Sequence, residues 1–276
     1  METQNSRRLR RTQARGGLFG FMVGIGGTVS TYHQRFDVLE TEGGYTIIYR
    51  GGRWLIRFNA TDGSVEILAG NNTIRVDDGI WLNERRIDRA CFFGWGCLSA
   101  NELRLLAFIF VALWYWRVRE QALRRLACML HFGEESQTPV GGQTPVGSPD
   151  EYLYGDLDRF LIELGRALGT SRLDHKVSRS PSGYVITDSY GEWRAELNLN
   201  GDIEITTSDG GHIRIVGSEI HYNGTFDEVC KVGLAVCLGA HEIRIMLFTY
   251  VVLWYWRIGE RDTIRRLAQM IRPCVG

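Results

Sequence analysis

The chain reads as an α+β protein that is internally duplicated. Each copy is a helix, a five-stranded antiparallel meander and a long hydrophobic helix followed by a short amphipathic helix. The pentapeptide LWYWR stands at Leu113–Arg117 and again at Leu253–Arg257. Sliding the sequence on itself by about 139 positions aligns much more, the signature of duplication. GYTIIYRGGRW, ending at Trp54, meets GYVITDSYGEW, ending at Trp193; DGSVEI from Asp62 meets NGDIEI from Asn200. The third observation is short alternating segments broken by glycine turns, which make antiparallel strands with one wet face.

The elements follow in order. Residues 1–15 form a flexible basic arm, with five arginines between Ser6 and Arg15. SRRLRR before GLFGFMVGIGG has the look of a twin-arginine signal. However, residues from Phe21 align on those from Phe160, so residues 16–31 read as the worn first helix of copy one, which runs over 16–132. Its counterpart carries Leu157, Phe160, Leu161, Leu164 and Leu168 on one face. Residues 133–150, holding QTPVG twice, are a Pro/Gly-rich linker too poor in apolar residues to fold. Copy two runs over 151–276. Its strands are YVITD, WRAELNL, DIEITTS, HIRIVG and EIHYN. Leu105–Trp116 is apolar throughout, and Ile245–Trp256 has Thr249 alone as a polar interruption, so each helix needs cover on every side. Copy two gains a residue around Gly259, predicting a break near 118–121 and 258–262, with Asp262 capping the last helix. The linker's composition predicts halves that fold apart, residues 1–134 and 150–276.

At 276 residues, 44% hydrophobic and 23% charged, the chain can bury two cores, and a formal net charge of zero gives no global field toward nucleic acid or anionic membrane. Lys176 and Lys231 are the only lysines beside a wealth of arginine, which reads as the codon bias of a GC-rich genome rather than selection against ubiquitin-acceptor lysines. Cys91, Cys97, Cys128, Cys230, Cys237 and Cys274 sit in apolar settings, without zinc spacing, and do not suggest a disulfide scaffold. Triplets at Asn59, Asn71 and Asn223 would be glycosylated only in a secreted chain.

Chemistry is thin. His33, His131, His175, His212, His221 and His241 never fall opposite one another in the two copies, and no nucleophile–base motif recurs. No enzymatic activity, cofactor or metal is expected. The charges shared by both copies point to a partner: Arg104 and Arg244, Arg117 and Arg257, Arg124–Arg125 and Arg265–Arg266 suit an acidic protein surface or phosphate, bivalently if both copies engage. The bland alternative is ion pairing at the rims of a buried helix. Thr138, Thr144 and Ser148 each precede proline in the linker and are candidate phosphorylation sites.

The expectation is a non-enzymatic, regulatory protein–protein interaction protein of the cytoplasm or nucleus, with a composition that fits a host-interaction protein of a GC-rich DNA virus. One alternative is a membrane-associated protein seated by the two aromatic segments. The fully apolar run spans only about 18 Å against a hydrocarbon layer of roughly 30 Å, which favours a core. Another alternative is a binder of a small apolar ligand in a cavity beside the helix. Nucleic acid could meet the basic arm, a less favoured partner.

Overall fold

The structure is a computed structural model that describes residues 11–14, 36–49, 54–92, 96–118, 126–132, 151–153, 175–222, 225–226, 228–231 and 237–272. They form an α+β protein of mostly antiparallel sheets, with three helices among the described residues. The expected first helices, at 16–31 and 157–168, lie outside them.

Strand β1 (Arg11–Ala14) falls within the stretch expected to be a flexible arm. Next come β2 (Phe36–Thr41), β3 (Gly44–Tyr49), β4 (Trp54–Asn59), β5 (Val65–Ala69), β6 (Asn72–Val76), β7 (Ile80–Leu82) and β8 (Arg85–Ile87), paired in chain order as one meander. The loop from β7 to β8 is Asn83–Glu84, both at positive φ (47° and 69°), the backbone a two-residue hairpin needs. Asn83 also fixes the hairpin from outside, accepting the Thr73 N–H (2.9 Å) and donating to Asn72 Oδ1 (2.9 Å).

β9 (Ala90–Phe92) and β10 (Gly96–Leu98) form a hairpin in which Cys91 and Cys97 stand directly opposite and are joined by a disulfide. Cys128 is disulfide-bonded as well. This corrects the reading of the cysteines as a non-disulfide set. Facing register positions, rather than a tell-tale spacing, bring Cys91 and Cys97 together.

Helix α1 (Ala100–Val118) starts with a capping box: Ser99 N–H and Oγ–H both donate to Glu102 Oε2 at 2.9 Å, and Leu103 N–H reaches the Ser99 carbonyl at 3.0 Å. Leu105 to Leu113 are buried without a gap. The helix rests on β2, β4, β5 and β6, whose inward residues include Val38, Ile56, Val65, Ile67, Ala69, Ile74 and Val76. Alternation along those strands leaves the other face wet.

β11 (Glu151–Leu153) precedes the second large sheet. That sheet contains β12 (His175–Ser180), β13 (Gly183–Asp188), β14 (Trp193–Asn198), β15 (Ile203–Thr207), β16 (His212–Val216), β17 (Glu219–His221) and β18 (Thr225–Phe226), again in chain order. Each meander thus has seven strands, correcting the five expected. In HKVSRS only Val177 is apolar, so β12 shows no run of its own and exists through its pairing with β13. β18 is too short to read alone. β19 (Glu228–Lys231) and β20 (Cys237–Gly239) form a hairpin before helix α2 (Ala240–Ile258). Gly259, at φ 72°, ends that helix, and helix α3 (Arg261–Gln269) follows. Asp262 is not its cap: Glu260 holds the cap position and Asp262 lies in the first turn.

The chain divides into two compact units, and they are cut differently from the sequence copies. An early unit holds residues 30–171 and 252–276; a late unit holds 1–29 and 172–251. In the late unit β1 adds to β19 in parallel, and in the early unit β11 adds to β9 in parallel. Also in the early unit, α3 packs on α1, and Leu130 bridges Ile271. There His131 N–H donates to the Met270 carbonyl (2.9 Å), and Arg272 N–H to that of Met129 (3.0 Å).

Candidate functional site

The arginines expected to meet a partner fall into three groups. Arg104 and Arg244 turn inward. Arg104 Nε donates to the Gly63 carbonyl at 2.9 Å, Nη1 to Asn101 Oδ1 at 3.0 Å, and Nη2 to the Asp77 carbonyl. Arg244, 7% exposed, donates from Nε to the Gly201 carbonyl at 2.6 Å. Gly63 and Gly201 are turn residues at φ 68° and 86°, a backbone that presents the carbonyl to the arginine and suits no side chain well. Burial pulls both guanidinium groups below the usual arginine value, opposed by Asp77 and Asp62 around Arg104 and by Asp202 near Arg244. Each arginine fastens the second turn of a long helix to a hairpin turn. The donors used here, three on Arg104 and Nε on Arg244, are withdrawn from a partner.

The second group is displayed. Arg257, in the last turn of α2, is exposed, as are Arg265 and Arg266 on α3. Arg265 Nη1 lies 3.3 Å from Asp262 Oδ1, and the Arg261 guanidinium sits 5.4 Å from the Trp256 ring centroid. The opposite face of α3, with Thr263, Ile264, Leu267 and Ala268, is buried, which fixes the arginines outward. Between Arg257 and Arg272 stand five arginines against Glu260 and Asp262. The third group lies beyond description: Arg117 is described in backbone alone, and Arg124, Arg125, Thr138, Thr144 and Ser148 lie outside the described residues.

The repeated aromatic block is partly core. Leu253 and Tyr255 are buried, whereas Trp114, Trp254 and Trp256 are each half-exposed. The expectation that the whole block is surrounded therefore holds for one side of the helix only.

The sequence predicts a wet face on each sheet but not its cross-strand register, which builds continuous rows. In the early unit the row runs Thr46, Arg57, Glu66, Arg75, Trp81, Arg86. Arg57 Nη1 meets Glu66 Oε2 at 2.6 Å, and the Arg75 and Arg86 guanidinium groups lie 5.5 and 5.8 Å from the Trp81 ring centroid. Asp77 organises the end of the row, accepting Trp81 Nε1–H at 2.8 Å and lying 2.9 Å from Arg75 Nε. Desolvation pushes the Asp77 carboxyl up, but hydrogen bonds with Asp78, Trp81 and the Gly79 N–H, aided by Arg75, prevail and hold it at about 2.

The matching row of the late unit is Ser178, the buried Val185, Glu196, Glu204, Arg214, His221, Thr225. Its end borders a cavity of about 910 Å³ lined also by His212, Tyr222 and the Asp209–Gly211 turn. His221 Nε2 lies 3.6 Å from Glu219 Oε2, and Arg214 Nε 3.8 Å from Glu204 Oε1. Alternation along β16 and its pairing with β17 would have put His212, Arg214 and His221 on one face; that was the available signal.

Among the described residues, no group of His, Cys, Asp and Glu is arranged to hold a metal ion, and no helix is long and apolar enough to cross a membrane. No known protein family, curated protein or solved structure matches the chain.

Proposed function

We propose that the chain is a non-enzymatic interaction protein that engages an acidic protein surface through the corner formed by the end of α2 and by α3. The observation that carries this reading is the outward set of Arg257 at the end of α2 and Arg265 and Arg266 on α3, whose other face is buried. Arginine's planar fork suits carboxylates, and a fixed helix reduces the ordering cost of binding. Two tandem copies of one α+β domain remain the proposed origin of the architecture. Supporting it are the equal strand number and order of the two meanders and the matched fasteners Arg104–Gly63 and Arg244–Gly201. Thr138, Thr144 and Ser148 remain the proposed phosphorylation sites of the linker, where added negative charge would compete for the same arginines.

The test is charge reversal. Arg257→Glu, Arg265→Glu and Arg266→Glu, made together, should abolish recovery of partners from cells while leaving the melting temperature within a few degrees of the parent. An unchanged set of partners removes the corner from consideration.

A second reading concerns location. The Cys91–Cys97 disulfide favours an oxidising compartment over the cytoplasm or nucleus. Mass spectrometry of alkylated, unreduced protein taken from its cells decides between them. A free thiol at Cys91 supports the intracellular placement, and an intact bond supports the other.

A further inference from the structure

Among the described residues, three backbone pairings join distant parts of the sequence, and two of them mirror each other. β1, from the N-terminal arm, pairs in parallel with β19, placing Gln13 opposite Cys230. β11, which directly follows the linker, pairs in parallel with β9, placing Tyr152 opposite Cys91. Each of these strands precedes one half of the sequence and completes a three-stranded sheet in the other half. The third pairing joins the ends of the halves, through the Leu130–Ile271 bridge and the hydrogen bonds His131 N–H to Met270 O and Arg272 N–H to Met129 O. α3 also lies against α1.

We infer that the two halves of this chain exchange their leading strands reciprocally, so that the edges of β9 and β19 are docking sites whose occupants are β11 and β1. A strand edge is a row of unpaired N–H and C=O groups, and a partner strand satisfies it through backbone bonds alone. The occupant of each edge is a named segment of the same chain, and its register is fixed residue by residue. Two consequences follow. The linker at 133–150 is dispensable as a covalent tie once the protein has folded, because the pairings hold both fragments. A half separated from its counterpart exposes an edge that fits the leading strand of a second copy of this chain.

Hydrogen exchange on the full chain tests the inference directly. Thr12→Pro with Gln13→Pro removes the donors of β1, and exchange should quicken by roughly tenfold or more at Val229–Lys231 but not at Ala90–Phe92. Glu151→Pro with Tyr152→Pro should give the reverse pattern. Unchanged exchange at the distant strand in both variants overturns the inference. As a measurement independent of those variants, a protease site placed between Thr138 and Ser148 of the full chain is cut after folding. The sample is then run on a sizing column in reductant, so that no disulfide can join the fragments. Co-elution at the size of the uncut protein supports reciprocal exchange; fragments that part, in whatever state, overturn it.

Discussion

His175 and Asp188 face each other across the first hairpin of the late unit, 3.6 Å from Nε2 to Oδ1, and both are buried. The Trp193 ring lies 4.7 Å and the Tyr250 ring 5.1 Å from the imidazole, centroid to centroid. Asp188 Oδ2 further accepts the N–H groups of Tyr190 and Glu192 at 3.2 Å, so the carboxylate organises the turn leading to β14. The same register position in the early unit pairs Phe36 with Tyr49. His175→Phe alone should therefore destabilise the late unit by about 1–3 kcal/mol, because it replaces the polar neighbour of a buried carboxylate with an apolar ring. Adding Asp188→Tyr should recover part of that loss, a non-additivity that a double-mutant cycle of thermal melts would measure. Strictly additive losses would mean that the two side chains act separately.

Arg104 and Arg257 should behave as opposites. Arg104→Met removes donors from the carbonyls of Gly63 and Asp77 and should cost about 2–3 kcal/mol, the range for hydrogen bonds from a charged group. Arg257→Ala, at an exposed helix end, should cost less than about 1 kcal/mol. Urea melts of the two variants give the comparison. Equal losses would break the distinction between fastener and displayed residue.

Asp77 sets an acid limit for the early unit. Its folded carboxyl is held at about 2, against an ordinary value of 3.8 when unfolded. A depressed folded value means the contribution is complete above the unfolded value and is lost as pH falls from about 4 through about 2. The group is 36% exposed, so solvent reduces the size of the effect. Asp77→Asn should flatten the melting temperature of the early unit across that window and leave its slope above pH 5 as in the parent.

These contacts differ in how far the residues announce them. The long helices were legible because Leu105–Trp116 and Ile245–Trp256 are apolar over several turns, and the inner strands because Val65, Ile67 and Ala69 alternate with less buried residues. Ser99 and Glu102 also carry a readable capping-box signal. The strand β12 was not legible, since one valine in six residues gives no periodic signal. Neither was the Cys91–Cys97 bond, which depends on hairpin register. The arginines illustrate the limit most clearly. Arg104 and Arg257 both flank an apolar run, and only the position of the Gly63 turn decides that one points inward. Reciprocal strand pairing has no local signature at all, because RTQA and EYL gain their conformation from strands far away in the sequence.

The placement of α3 on α1 has a consequence for how the protein is made. Translation runs from the N-terminal side, so the early meander and α1 leave the ribosome well before Arg261–Gln269, the last helix of the same unit. At ordinary elongation rates that delay is on the order of ten seconds, longer than most small domains need to fold. The late unit has the opposite schedule, since its first strand waits for β19. Neither unit can close during synthesis as an independent N-terminal domain would, and both close late. Nascent chains of this protein therefore expose the apolar flank of α1 until α3 emerges, the interval in which a chaperone that covers apolar helices would be needed.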